Sequence, residues 1–438
     1  MKQFVLWSIC LILCAAVILM TSIQAYTATA EIIVQPDNPA SAPYPGADAN
    51  REAYDAWRSA VRERQSIPTH NNELAAFLQS SVSTFLTGCG SENRVYSPLS
   101  LYMALAMLAE ITDGSTRQEI LTLLGSEDLA ALRQQASDVW NANYCDDGIL
   151  TRTLAASLWL NEDIAFTSET MSALAEYYHA AAYRGLMGSE KLNLALQTWL
   201  NDNTLGLLKE HISTIELPAT TVMAIASTVA FKARWSSEFF EGNNVVDVFH
   251  APNGDVACTY MRKSMQTMLY WADSWQAISL PYDQEGRMIL ILPDEGVSVD
   301  ALLTGSACLN WITGQATPDA RELQVNLSLP RFDVTSQLEL SDGLQSMGLT
   351  EVFDVSHADF SPLTDELMPI SLSQVRHDAR VVIDEEGTEA AAYTVMMLVG
   401  AAIPTQVEEI DFVLDRPFLF VITGAGGLPL FIGVVNHP

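Results

Sequence analysis

The residues that invite a chemical reading lie near the C-terminal end. Glu385-Glu386-Gly387-Thr388-Glu389-Ala390-Ala391-Ala392-Tyr393-Thr394 runs on into Val395-Met396-Met397-Leu398-Val399-Gly400-Ala401-Ala402-Ile403-Pro404. No charge and no proline interrupts it from Ala390 to Ile403. Alanine favours helix while Tyr, Thr and Val favour strand, so periodicity leaves the choice open. As a helix the run is too short to span a membrane. As a strand it separates into two faces, because alternate side chains point opposite ways. Thr388, Ala390, Ala392, Thr394, Met396, Leu398 and Gly400 form an uncharged face, small at its start and apolar later. Glu389, Ala391, Tyr393, Val395, Met397 and Val399 form the other, with the only carboxylate and the only aromatic. Gly387 ahead of them can act as a hinge, since glycine adopts φ values other residues avoid. This is the chemistry of a strand entering a sheet with one face on a core. Enzyme chemistry has no comparable signal. There is no Gly-x-Ser-x-Gly, His-Glu-x-x-His or P-loop, and the seven histidines are scattered without a ligand cluster. No enzyme, cofactor or metal site is expected.

Composition narrows the setting. The 438 residues could by length alone make two or three domains, and a hydrophobic fraction of 49% can fill a large core. A net charge of −31 argues against nucleic acid or an anionic membrane as partner. Lys2, the apolar run Phe4 to Met20 and the small residues Ala25, Ala28 and Ala30 form an export leader over residues 1–30. Cleavage after Ala25 or Ala30 is expected. The alternative is an uncleaved N-terminal anchor, for which the apolar run is near the lower length limit. Either way the protein is expected to be secreted or at the cell surface. Cys10 and Cys14 fall in the leader, leaving Cys89, Cys145, Cys258 and Cys308. With no Cys-x-x-Cys, neither a zinc ribbon nor a redox motif is indicated. Buried thiols and one or two bridges both remain open.

The elements that must position the C-terminal stretch follow in order. Residues 31–70 read as a linker, extended by Pro36, Pro39, Pro43 and Pro45, with a short charged helix from Glu52 to Gln65. The body starts near Asn71 with the amphipathic set Leu74, Phe77, Leu78, Val82, Phe85 and Leu86. Ser97 is a good N-cap and Pro98 a good first residue for a helix apolar almost all round and therefore buried. Thr116 to Glu119 reads as a capping box, and Gly125 ends the helix it opens. Leu154–Leu160 and Val222–Trp235 read as strands. So do Val256–Met261, Met268–Trp271, Ala277–Leu280 and Met288–Leu292, with a hairpin turn at Asn253-Gly254. Phe418–Ile422 and Leu430–Val435, joined by Gly424-Ala425-Gly426-Gly427, form a buried hairpin.

The stretch Glu385, Glu386, Gly387, Thr388, Glu389, Ala390, Ala391, Ala392 resembles the hinge of the serpins, serine protease inhibitors that work by loop insertion. Further motifs extend the resemblance over residues 71–438. Asn93 to Ser100 is similar to the family's segment bearing the two serines of the "shutter", here Ser97 and Ser100. Phe231-Lys232-Ala233-Arg234-Trp235 resembles a second signature and implies Trp235 at the "breach". Leu329-Pro330-Arg331-Phe332 and Asp415-Arg416-Pro417-Phe418 resemble two more. Val375-Arg376-His377 has the spacing that implies His377 is the shutter histidine. Ser227 stands where the family usually has Asn, so the shutter would be wired differently. The resemblance implies an α+β serpin fold with three β-sheets, about eight to nine helices and an exposed reactive-centre loop at about 385–411. It also implies a suicide substrate, with the scissile bond at Ala401-Ala402 and Gly400-Ala401 or Val399-Gly400 as runners-up. Small apolar residues there fit an elastase-like serine protease. Tyr393, replacing the usual alanine, points outward by alternation. Helix D of the family would span 126–144. Arg133 is its only basic residue, so no heparin binding is expected. A monomeric, secreted, bacterial-type member is expected. The alternative is a non-inhibitory binding or surface protein on the same fold.

Overall fold

Ser97 caps the helix Pro98–Glu110, its hydroxyl accepting the Ser100 N–H at 3.4 Å. The helix is apolar on every side, and every residue except Ala104 is buried. The computed structural model describes residues 30–46, 49–366, 368–372, 374–388 and 408–438. Asn71–Leu86, Gly114–Leu124, Leu129–Asn143 and Ser168–Tyr178 are the helices packed beside Pro98–Glu110. With Pro98–Glu110 itself, Arg51–Gln65 and Glu190–Asp202 they make seven helices of eleven residues or more among the described residues. Shorter helical turns join them.

Among the described residues, two hydrogen-bonded sheets carry the α+β architecture. The first runs β1 (Glu31–Val34), β5 (Ala180–Gly185), β4 (Thr151–Asn161), β6 (Met223–Arg234), β14 (Gly387–Thr388), β13 (Arg376–Ile383) and β12 (Phe332–Glu339), with β3 (Cys145–Asp146) on β4. The second runs β15 (Glu409–Val413), β11 (Asp319–Pro330), β8 (Gly254–Ala272), β9 (Trp275–Pro281), β10 (Arg287–Pro293), β16 (Phe418–Thr423), β17 (Pro429–Val435) and β2 (Arg94–Tyr96), with β7 (Val245–Ala251) on β8. Three sheets were expected. They become two because β8 is one strand of 19 residues, not the separate strands read at Val256–Met261 and Met268–Trp271. It pairs with β7 at its start, β11 along Tyr260–Trp271 and β9 at its end, so one ladder passes continuously between the layers. The β16–β17 hairpin is buried throughout, as its uninterrupted apolar sequence requires.

Two further sequence readings are corrected here, and one left open is decided. Residues 31–70 are not a free spacer. Glu31–Val34 adds as an edge strand to β5, and Arg51–Gln65 lies on the body. Trp57 Nε1 donates to Asp147 Oδ2 at 3.1 Å, and Arg64 lies 3.4 Å from Glu285, which also holds the fully buried Arg152 at 2.9 Å. A four-residue strand has no local signal until its partner edge is known. Thr116 does not open a capping box either. The helix starts at Gly114, and Glu119 instead receives the N–H groups of Thr350 and Glu351 at 2.7 and 2.8 Å, capping a neighbouring turn rather than its own. Gly125 ends that helix at φ 69°, as expected. Finally, Cys89, Cys145, Cys258 and Cys308 are all free thiols. Burial pushes the Cys145 and Cys308 thiols up to about 12.

Candidate functional site

The site is the seam between β6 and β13. Each strand has its other neighbour firmly registered: β6 on β4 from Met223 to Lys232, and β13 on β12 from Arg376 to Ile383. Among the described residues only β14 joins the two. Gly387 pairs with Arg234, and Thr388 pairs with Ala233 on one side and Ile383 on the other. Two residues of the predicted hinge are therefore already a strand in the sheet. Beneath them lies a cavity lined by Ser97, Ser100, Thr228, Ala230, His377 and Thr388, among others.

Local sequence dictates this entry. Asp384 turns the chain: its Oδ1 accepts the N–H groups of Glu386 and Gly387 at 2.9 and 3.1 Å, and its own N–H donates to the Gly387 carbonyl at 3.2 Å. Gly387 is required by close approach. A Cβ there would overlap the Ala233 carbonyl oxygen and come within 2.8 Å of the Arg234 Cα. Thr388 is buried, and its hydroxyl lies 2.7 Å from the Tyr282 hydroxyl. Tyr282 stacks on Trp235 with centroids 4.9 Å apart, and Phe231 meets it edge-on. Trp235 holds the turn itself. Its Nε1–H donates to the Asp384 carbonyl and its backbone N–H to the Glu386 carbonyl, both at 3.0 Å.

Glu385 anchors the hinge from outside. Its side chain is buried and accepts from Arg331 Nε at 2.7 Å and Asn244 Nδ2 at 2.6 Å, while its carbonyl accepts the Phe239 N–H. Burial pushes this carboxyl up, but the hydrogen bonds from Arg331 and Asn244 and the Arg331 charge outweigh it, holding it below its ordinary value.

At the lower end of the seam one helix N-terminus clasps both strands. The Ser97 backbone N–H donates to His377 Nε2 at 3.1 Å, tying down β13. Ser100 Oγ donates to the Ser227 carbonyl at 3.1 Å and lies 3.4 Å from Ser227 Oγ, tying down β6. Because Nε2 accepts, the imidazole is neutral with its proton on Nδ1. Burial agrees, holding its pKa down to about 4. The Tyr96 ring packs on it at 5.3 Å. Ser336 of β12 adds a third tie, accepting the Val95 N–H at 2.7 Å.

The structure thus brings together Ser97, Ser100, Ser227 and His377 at one end of the seam, and Glu385, Glu386, Gly387, Thr388 and Trp235 at the other. Glu389, Ala390, Ala391, Ala392 and the bond Ala401-Ala402 lie outside the described residues. Sequence reasoning missed Tyr282, Asp384, Asn244 and Phe239 as parts of the site, and took Arg331 only as part of a motif. Arg331 next to Pro330 at a strand end, with an acidic pair at Glu385-Glu386, was the one usable signal. Arg133, the lone basic residue of its helix, is engaged by Glu110 at 2.8 and 2.5 Å.

A family model described as serpin (serine protease inhibitor) matches residues 70–438, and the chain belongs to that family. Serpins act as protease inhibitors of the suicide-substrate type, not as catalysts. Among curated relatives, Serpin-Z1A of Triticum aestivum is 28% identical over 384 residues, covering 84% of this chain and 96% of the relative. Serpin-Z4 of Hordeum vulgare is 27% identical over 387 residues, with 84% and 96% covered. These cereal proteins give no support to a bacterial-type assignment. Among solved structures, the thermophilic serpin tengpin in its native state has a TM-score of 0.75 at 23% identity, covering 93% of this chain and 100% of that one. Thyroxine-binding globulin in complex with thyroxine has a TM-score of 0.70 at 21% identity, covering 84% and 99%. At these identities the structures speak for the fold alone.

Proposed function

We propose that this protein traps an elastase-like serine protease as a suicide substrate, with the loop between β14 and β15 as bait. The observation that carries this reading is β14 itself, two hinge residues that alone among the described residues join β6 to β13. The protease serine attacks a loop carbonyl. An ester forms to the serine oxygen, the peptide bond breaks, and its nitrogen leaves as a protonated amine. The severed N-terminal side then continues the strand that Gly387 and Thr388 begin. Each residue added gains backbone hydrogen bonds to β6 and β13 and buries alternate side chains in the seam. Small residues at Thr388, Ala390 and Ala392 make that face insertable. The attached protease is carried away from its attacking water before the ester is hydrolysed.

Ala401-Ala402 is the proposed scissile bond, because its small side chains suit a shallow specificity pocket and no Arg or Lys lies between Glu389 and Ile410. Hinge, shutter and breach roles are proposed for the residues placed above. Action outside the cell is proposed from Lys2 and the apolar run that follows it, and action as a monomer is proposed with it. A non-inhibitory binding role on the same fold is the competing reading, and the small-residue hinge counts against it. The test is incubation with pancreatic- or neutrophil-type elastase followed by denaturing electrophoresis. A band at the summed mass that survives boiling supports trapping. Clean cleavage with the protease left active would overturn it.

A further inference from the structure

One helix, Arg51–Gln65, lies outside the residues 70–438 that match the family, yet its last turn is tied into the body. The Arg64 side chain is nearly buried, and its Nη2 lies 3.4 Å from Glu285 Oε2. Glu285 is buried too, and the same oxygen accepts from Arg152 Nη2 at 2.9 Å. Arg152 is fully buried at the start of β4. It is fixed in turn to the end of Leu129–Asn143, donating from Nε to the Asn143 carbonyl at 2.6 Å and from Nη2 to the Ala142 carbonyl at 3.1 Å. One carboxylate therefore gathers the N-terminal helix, β4 and the turn between β9 and β10. A buried carboxylate is tolerated only where it is paired, so this one is held in place by both guanidiniums.

The turn that carries Glu285 also carries Tyr282. The Tyr282 N–H donates to the Gly286 carbonyl at 3.3 Å, closing the turn around Glu285. Gly286 sits at φ 82°, where a Cβ would overlap the Thr423 carbonyl oxygen, so the turn has no room to move inward. On its other side the Asp283 N–H donates to the Arg234 carbonyl at 2.9 Å, and the Ser236 N–H to the Pro281 carbonyl at 3.0 Å. Arg234 is the residue that pairs with Gly387. The Tyr282 hydroxyl meets Thr388 at 2.7 Å. A short hydrogen-bonded turn and one ring thus separate the buried carboxylate from the hinge.

We propose that Glu285 is a positioning residue for loop insertion: held by Arg152 and Arg64, it fixes the turn that presents Tyr282 to Thr388, and so makes the N-terminal helix a brace for the hinge. The proposal rests on the inhibitor reading and deepens it. With the turn released, β14 frays, insertion starts later, and hydrolysis of the ester gains time. Full-length wild type, Glu285→Gln, Tyr282→Phe and the double variant are compared in two ways. Backbone amide exchange in a peptide spanning residues 384–388 reads the hinge of the uncut protein. Titration against neutrophil-type elastase reads the molecules consumed per enzyme trapped. Glu285→Gln should speed exchange at the hinge and raise consumption about fivefold. It should add little to Tyr282→Phe, because both act through the same hydroxyl. Trp57→Phe loses the bond to Asp147 from the same helix and should leave both readouts at wild-type values. Should Glu285→Gln fail to fold, Arg64→Gln replaces it, since the Arg152–Glu285 pair stays intact. Unchanged hinge exchange in the folded variant would overturn the proposal. So would full additivity with Tyr282→Phe, or an equal response from Trp57→Phe, which would make the effect one of general stability. If wild type is cut but never traps, the inhibitor reading fails separately, and the exchange measurement still decides on the brace.

Discussion

Thr388→Arg is the substitution that separates insertion from mere cleavage. Thr388 is buried between Ala233 and Ile383, with its hydroxyl against Tyr282. Arginine there must either bury an unpaired charge or stay outside and give up both strand pairings. An uncompensated buried charge costs roughly 3–5 kcal/mol. If the arginine stays outside in the uncut protein and about half of that cost is felt as the strand enters, insertion slows by roughly 10- to 60-fold. Hydrolysis of the acyl-enzyme is untouched, so the protein should switch from trap to substrate. Titration of active elastase against increasing inhibitor, with denaturing gels of the same mixtures, reads this directly. The wild type should approach one molecule consumed per enzyme. The variant should need on the order of ten or more, with the loop cut normally. Thr388→Val, which keeps the shape and loses the Tyr282 contact, should remain a trap. An arginine variant that forms boiling-resistant complexes at wild-type stoichiometry would refute the reasoning.

Other outcomes follow from the same geometry. Gly387→Ala must displace the hinge from the Ala233 carbonyl, so it should expose the start of the loop to limited proteolysis in the uncut protein. Ser100→Ala removes the tie to β6 and should lower stability by about 1 kcal/mol in urea unfolding, while leaving Ser97 to hold β13. His377 is neutral when folded, its pKa held down to about 4 by burial, against about 6.5 when unfolded. Between those values the unfolded chain binds more protons. The contribution is therefore complete above about pH 6.5 and is lost as pH falls toward 4. Between pH 6.5 and 5 the loss should be about 1.5 kcal/mol, and His377→Gln should flatten that part of the stability profile. His179, also lowered to about 4 by burial, will leave a residual slope.

The parts of the site that could be read from the sequence are those whose constraint is local. Gly387 and Thr388 announce a hinge because close approach and burial restrict the side chain at those positions alone. Ser97 and Pro98 announce a helix start because capping is decided within one turn. His377 could be placed by its distance along the chain to the hinge, through the family resemblance; the strand that carries it could not. What could not be read depends on partners far away. Tyr282 is 106 residues from the hydroxyl it meets, and nothing near it marks the meeting. Glu119 looked like a self-cap because the Thr350–Glu351 turn that takes it is invisible from residue 119. Glu31–Val34 looked like spacer because an edge strand has no identity without β5. The run through Val256 and Trp271 looked like two strands because its change of neighbours shows only in the register.

The most direct test of the central claim needs no knowledge of the natural protease. The loop is cut once between residues 389 and 407 by any enzyme, which is then removed, and thermal unfolding is followed before and after. If the severed strand fills the seam that Gly387 and Thr388 open, the midpoint should rise by roughly 10 °C or more, as several kcal/mol of added strand pairing requires. An unchanged or lower midpoint in the cut protein would contradict insertion between β6 and β13.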